Sequence, residues 1–445
     1  MRAAECVHET LTRANIPQIT VDTPQLIENT IRFRLHVSRT LRKYFLNDVS
    51  YVQYDGIDLK KVNNSILAIP IFTLIAPITW AVGANIYVAE LDASFFQSMA
   101  KVKDVYRKFN PNFSFSGDIS ADKVIPNEFG GNRTGMLFSG GVDSLASYLR
   151  HKDLKPDFIS VWGLPDIPPF EKRFWDTMWT DIRTLASLDD VTTIQVKTDM
   201  FRNINQELLT TEFGLDWFVE VAFGLFLLGL CAPVTAVRQI NTVVIASSYT
   251  KEFKRSAGSD PLIDDNVSWS DVRVIHDAFE LSRQQKLQYL CTEQNAGYLS
   301  HLRVCWDSAL KTNCGDCEKC MRTIVGLVIK GRDPNNCNFH VDQKTFHIIR
   351  DCFLKGRIEL SESQAFMWKD LQRHIPGEIK EDIYSSRKFL AWLKEYDLSQ
   401  YRVNKLNKFI RDVRRMYRYK RTKTPSGLRK LKCYFYITLS RLKLI

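Results

Sequence analysis

The sequence predicts an α/β protein whose central part is a doubly wound parallel sheet with helices on both faces. Three observations carry this. From Thr134 onward, short apolar strands alternate with helical stretches. A strand, a glycine pair and a helix start follow one another around Gly140 and Gly141. Four cysteines, Cys305, Cys314, Cys317 and Cys320, crowd together beyond the last strand–helix alternation.

Residues 1–130 read as an α/β N-terminal extension, with helical stretches at 30–45 and 93–109 and no chemical motif. The charge-free run 65–89 contains Pro70, Pro77, Gly83 and Asn85 and ends in the alternating string Asn85-Ile86-Tyr87-Val88-Ala89-Glu90. A membrane span needs about 20 apolar residues that can stay helical, so the run reads as a buried, proline-broken helix followed by a strand. The turn-rich segment 126–133 marks a boundary. Beyond it the expected order is strand 136–138, helix 143–151, strand 157–162, helix 170–188, strand 191–196, long apolar helix 215–236 and strand 242–246. A helix at 277–290 follows, with Asp277 as its N-cap, and 340–400 looks helical and charged. The expected domains are thus 1–130, 131–335 with a metal knuckle at 305–322, and a helical C-terminal region 336–445 with a basic tail.

The 445 residues carry a net charge of +11. From Tyr401 onward fifteen Lys and Arg face one acid, Asp412, so the tail exceeds the surplus of the whole chain. The tail also holds Tyr417, Tyr419, Tyr434, Phe435 and Tyr436. It reads as a solvated helical end, or as a surface for nucleic-acid phosphates, an anionic membrane or an acidic protein partner. The start of the chain lacks the charged-then-apolar pattern of a signal peptide. A cytoplasmic protein is expected, and ten cysteines in such a chain point to metal rather than disulfides.

The glycine-rich segment reads Phe138-Ser139-Gly140-Gly141-Val142-Asp143-Ser144. Two glycines before a helix are by themselves only a strand-to-helix turn. Here they let the backbone approach a ligand, and the following helix start aims N–H groups and partial positive charge at the same spot, which suits phosphate. Ser139 and Ser144 add hydroxyls. Asp143 fits as a helix N-cap or as a partner of a magnesium ion bridging phosphates.

The four cysteines fall as Cys305, eight residues, then Cys314-Gly315-Asp316-Cys317-Glu318-Lys319-Cys320. Four thiolates at such spacing close a tetrahedral zinc site with no open position, and Gly315 fits a tight knuckle. An iron–sulfur cluster and a redox dithiol are the competing readings, and zinc is favoured over both.

The string Ser139-Gly140-Gly141-Val142-Asp143-Ser144 matches the Ser-Gly-Gly-x-Asp-Ser signature of the PP-loop ATP pyrophosphatases. Together with Cys305, Trp306, Cys314, Gly315, Cys317 and Cys320, in this order, the chain resembles the 7-cyano-7-deazaguanine synthase (QueC) family over about 134–330. Arg322 falls one position short of the family arginine. The resemblance implies a PP-loop (adenine nucleotide alpha-hydrolase-like) sheet. It also implies that residues 139–144 bind ATP with magnesium, with Asp143 and Ser144 in catalytic roles. The implied chemistry is adenylation of a carboxylate, 7-carboxy-7-deazaguanine or a related deazapurine, followed by nitrogen transfer to a nitrile, amide or protein adduct. Extended relatives of this kind look like the QueC-like (QatC-type) component of bacterial antiviral operons. A homodimer and a protein acceptor are further expectations. The segments 246–253 and 258–264 depart from the family pattern, so the substrate does not transfer with the chemistry.

Beyond the motifs, Tyr249, Lys251, Lys254, Arg255 and Asp260 lie past the strand at 242–246, where a sheet ligand would sit. They are the candidate substrate residues, and a solvated loop is the plain alternative. Trp269 reads as base-stacking or packing, His276-Asp277 as a helix start more than a catalytic pair, and Asp166 as a minor magnesium candidate. The rivals to a ligase are a PP-loop RNA-modifying enzyme, against which Cys231 in an apolar helix is poorly placed, and a non-catalytic nucleotide-binding subunit of a protein complex.

Overall fold

A computed structural model describes residues 16–253, 257–305, 312–379 and 381–411. The chain divides into two units, between Leu281 and Ser282. In the first unit, strands β1 (Gln18–Val21), β2 (Gln25–Ile27), β3 (Thr30–Val37), β4 (Val49–Tyr54), β5 (Asn85–Asp92) and β6 (Ile119–Ile125) precede the glycine-rich loop. Strands β7 (Arg133–Leu137), β8 (Asp157–Trp162), β9 (Thr193–Thr198), β10 (Ile240–Ala246), β11 (Ser268–Trp269) and β12 (Val272–Asp277) complete the set among the described residues.

All twelve strands belong to one sheet. Its centre is parallel, in the spatial order β9-β8-β7-β10-β12. Counted by appearance within this core, that is the order 3-2-1-4-5 of a Rossmann-type doubly wound sheet, and the direction reverses between β7 and β10. Right-handed crossovers then put the β7-to-β9 connections and the β9-to-β10 connection on opposite faces. Beyond β9 the sheet continues as β4, β3, β1, β5 and β6, with β4 antiparallel to β9 through Val52↔Thr198 and Tyr54↔Val196. Of the stretch expected to form a separate extension, the described residues 16–130 share a sheet and one hydrophobic core, running from Ile19 to Val274, with the strands of the central part. Along the chain the two compact units meet at 281/282.

Two helical expectations also change. The stretch 30–45 is β3 followed by a 3-10 turn, Arg39–Tyr44. Its string Thr-Ile-Arg-Phe-Arg-Leu-His-Val alternates with period two, so Ile31, Phe33 and Leu35 are buried and the arginines face out. The helix expected at 277–290 starts later, because His276 and Asp277 end β12. Ser282 is the N-cap, in a capping box with Gln285.

The run 65–89 behaves as its composition suggests. Helix α1 (Ile69–Val82) takes Pro70 in its first turn, tolerates Pro77 inside, and ends at Gly83 in the left-handed region (φ 70°), where β5 follows. It is apolar on all sides and correspondingly buried. Helix α2 (Ala93–Phe109) is capped by Asp92. Helix α3 (Val142–Arg150) follows the glycine-rich loop, and α4 (Lys172–Ser187) links β8 to β9. A π-helical segment, Trp217–Ala222, leads into α5 (Phe223–Arg238). The continuous helix Trp217–Arg238 is long and apolar enough to cross a membrane, but 78% of its apolar window is buried within the protein.

The second unit is helical: α6 (Arg283–Leu290), α7 (Glu318–Ile329), α8 (Thr345–Leu354), α9 (Glu362–His374) and α10 (Ser386–Glu395). The helical character expected at 340–400 is found there. The basic residues 412–445 lie outside the described residues.

Candidate functional site

The glycine-rich loop leaves the end of β7, the strand at which the sheet order reverses, where an open α/β sheet forms its ligand crevice. Its entry is fixed by packing. Phe138 stacks on Phe158 at 3.9 Å, Tyr148 meets both rings edge-on, and Ser160 Oγ donates to the Phe138 carbonyl at 2.7 Å. Gly140 adopts φ 72°, a conformation that resists other side chains, and Gly141 is the N-cap of α3 with extended backbone. Among the described residues no side chain caps the helix start, and such an end aims its N–H groups outward.

Asp143, read from the sequence as an N-cap or a magnesium partner, is not the N-cap but the second residue of α3, half-buried in the first turn, where the helix dipole favours a carboxylate. Ser144 is buried and braces the loop from below: its Oγ donates to Gly141 O at 3.3 Å, accepts from Ser139 N at 3.3 Å, and lies 3.2 Å from Ser139 Oγ. Ser139 is exposed. The loop thus presents a hydroxyl, backbone amides and one carboxylate. Hydroxyl and amide donors of this kind suit phosphate oxygens.

The loop after β10 is arranged differently from a free substrate lid. Tyr249 stacks on Phe253 at 4.9 Å, and its carbonyl accepts from Ser247 Oγ. Lys251 is exposed. Lys254 and Arg255 lie outside the described residues. Asp260 caps the helical turn Pro261–Asp264 by accepting from Leu262 N at 2.9 Å, so its carboxylate has a structural task. Trp269 is fully buried and donates to Thr235 Oγ1 at 2.8 Å, which makes it packing rather than a base platform. Asp166 is exposed. Cys231 is buried in α5 and burial pushes its thiol up, leaving it unsuited to thiol chemistry.

His276 and Asp277, read from the sequence as a helix start, each belong to a polar cluster with partners the sequence did not indicate. His276 Nδ1 lies 2.7 Å from Asp264 Oδ2, which also accepts from Ser259 Oγ at 2.6 Å. Both His276 and Asp264 side chains are buried; burial pushes the Asp264 carboxyl up, against the downward pull of His276. On the next residue, Asp277 accepts from His151 Nε2 at 3.0 Å and faces Arg150 at 3.3 Å. The alternation of the strand string Val-Arg-Val-Ile-His-Asp was the available signal, since it sends His276 and Asp277 to opposite faces.

In the second unit the four cysteines converge. The sulfurs of Cys305, Cys314, Cys317 and Cys320 all lie within 4.8 Å of one another, and Cys314 and Cys320 are 3.7 Å apart. A tetrahedron with metal–sulfur bonds of about 2.3 Å has edges near 3.8 Å, so the set fits zinc. Gly315 turns the knuckle at φ 74°, and the amides of Cys317 and Cys320 point at the sulfurs of Cys314 and Cys317, at 3.3 and 3.4 Å. Asn313, unnoticed in the sequence, clamps the two arms. Its Oδ1 accepts from Val304 N and Cys305 N, and its Nδ2 donates to the carbonyls of Leu302 and Asn338. Arg322 is buried and bonds Glu318 at 2.8 Å, which also accepts from Trp368 Nε1. Trp306 lies outside the described residues. Comparison of the chain with family models, with curated proteins and with solved structures finds no match.

Proposed function

We propose that the chain is an ATP-dependent ligase of PP-loop type that adenylates a carboxylate and lets a nitrogen nucleophile displace AMP, with magnesium at the triphosphate and zinc as a structural staple. One observation carries this: the unbroken string Ser139 to Ser144 forms a strand–loop–helix junction at the reversal point of a 3-2-1-4-5 sheet. In this reading Gly140, Gly141 and the first turn of α3 hold the β,γ-pyrophosphate, so attack falls on the α-phosphorus. Ser139 contributes a hydroxyl, Asp143 holds the magnesium ion, and Ser144 keeps the loop in shape. No nucleophilic side chain is required, because the chemistry turns on a well-held leaving group. A deazapurine carboxylate is the favoured substrate on the motif resemblance, with Tyr249 and Lys251 as candidate contacts and an antiviral setting as its biological context.

The test is release of pyrophosphate and AMP by the zinc-loaded protein with magnesium ATP and 7-carboxy-7-deazaguanine, with and without ammonia. Release should depend on the deazapurine and fall by roughly a hundredfold or more in Asp143→Ala. Mass spectrometry then separates nitrile, amide and protein adduct. Protein that binds ATP yet releases no pyrophosphate with this carboxylate would overturn the deazapurine reading.

A further inference from the structure

The second unit contains a pocket of about 500 Å³ that has no part in either motif. Its wall includes Arg332, Asp333, Glu381, Tyr384, Leu299 and Ile383. The volume falls in the range of small-molecule sites. The Tyr384 backbone is left-handed (φ 50°, ψ 39°) and so is that of Ser385 (φ 60°, ψ 31°). Two consecutive non-glycine residues in this region are strained, and such strain persists only where surrounding bonds impose it. Here they do. Tyr384 OH donates to Asp333 Oδ2 at 3.1 Å and accepts from Asn335 Nδ2 at 2.7 Å, while Ser385 Oγ donates to Gln343 Oε1 at 2.7 Å.

The charges lining the pocket are unusual in their pairing. Arg332 is anchored by donation from both Nε and Nη2 to the Cys291 carbonyl, which leaves the N–H groups of Nη1 and one of Nη2 on the outer end of a fixed fork. The Asp333 carboxylate accepts only from neutral donors, Asn335 and Tyr384. Among the described residues, no ion pair joins Arg332, Asp333 or Glu381 to any partner. One pocket therefore offers a guanidinium and two carboxylates, with apolar surface contributed by Ile383 and Tyr384.

We infer that this pocket binds a small zwitterion with an apolar body, namely an apolar α-amino acid. Its carboxylate pairs with Arg332, its ammonium with Asp333 and Glu381, and its side chain lies against that apolar surface. The inference stands independently of the glycine-rich loop.

Calorimetric titration of the full chain with L-phenylalanine and L-leucine tests it, beside phenylalaninamide, which lacks the carboxylate, and N-acetylphenylalanine, which lacks the ammonium. Expected are binding of a free amino acid and at least about tenfold weaker binding of both blocked forms. Glu381→Gln should weaken the free amino acid several-fold and leave N-acetylphenylalanine unchanged. Arg332→Gln should remove the preference over the amide. Glu381 is exposed, so its variant decides the matter even if Arg332→Gln disturbs the fold by releasing the Cys291 carbonyl. Binding of neither amino acid at millimolar concentration, or blocked forms that bind as well as free ones, would overturn the inference.

Discussion

Asp277 is 6% exposed and meets His151 and Arg150 at the end of β12. Burial alone would raise its carboxyl, but the bond from His151 and the nearby Arg150 charge outweigh burial and hold it below the usual range. A carboxylate lowered in the folded state contributes stability above its unfolded value, about 4, and loses it as pH falls through the folded value. Asp277→Asn should therefore cost about 1–3 kcal/mol at pH 7, with the gap to the parent shrinking below about pH 4 in thermal melts. Cys317 is both a sulfur of the cluster and the N-cap of α7. Cys317→Ser puts a capping hydroxyl oxygen in place of the capping sulfur but removes a thiolate. It should lose bound zinc by elemental analysis and lower the melting temperature, as should chelation of the parent protein. What could be read in advance, the strand–glycine–helix turn at 138–144 and the gathering of the four cysteines, comes from residues that lie within about fifteen positions of one another. Asn313 and the Asp264–His276 pair could not be, because their meaning comes from backbone and side chains that only folding brings near.

Among the elements, α1 was legible because its breaks are chemical: prolines that fit a first turn or a bend, and a glycine that ends the helix. β3 was not, because Arg32 and Arg34 between Ile31, Phe33 and Leu35 resemble one face of a charged helix unless the period is counted. The pairing of α1 with α5 rests on small residues. A Cβ at Gly229 would stand 2.1 Å from Thr73 Oγ1, and α1 itself is closely packed. Gly229→Ala should thus destabilise by about 1–3 kcal/mol in denaturant titration, although alanine ordinarily favours a helix. A neutral or stabilising result would mean that the two helices can move apart.

At the scale of the molecule, the central alternation of strands and helices announced a parallel core. It did not announce that β4 would join β9 and extend the sheet through strands lying between Gln18 and Ile125. That junction follows from edge pairing between segments far apart in sequence, for which alternation gives no register. A chain begun at residue 131 would expose the open edge of β9 and one face of α5, and should fail to give a cooperative melt, whereas its parent should melt cooperatively. The long sheet also has unequal ends. At one end β11 is only two residues long, while at the other β6 spans seven and, among the described residues, pairs with β5 alone. A backbone ladder open over that length is a growth point for further strands. Asp122 and Lys123 interrupt it with charge of both signs, so at that margin the side chains guard against self-assembly.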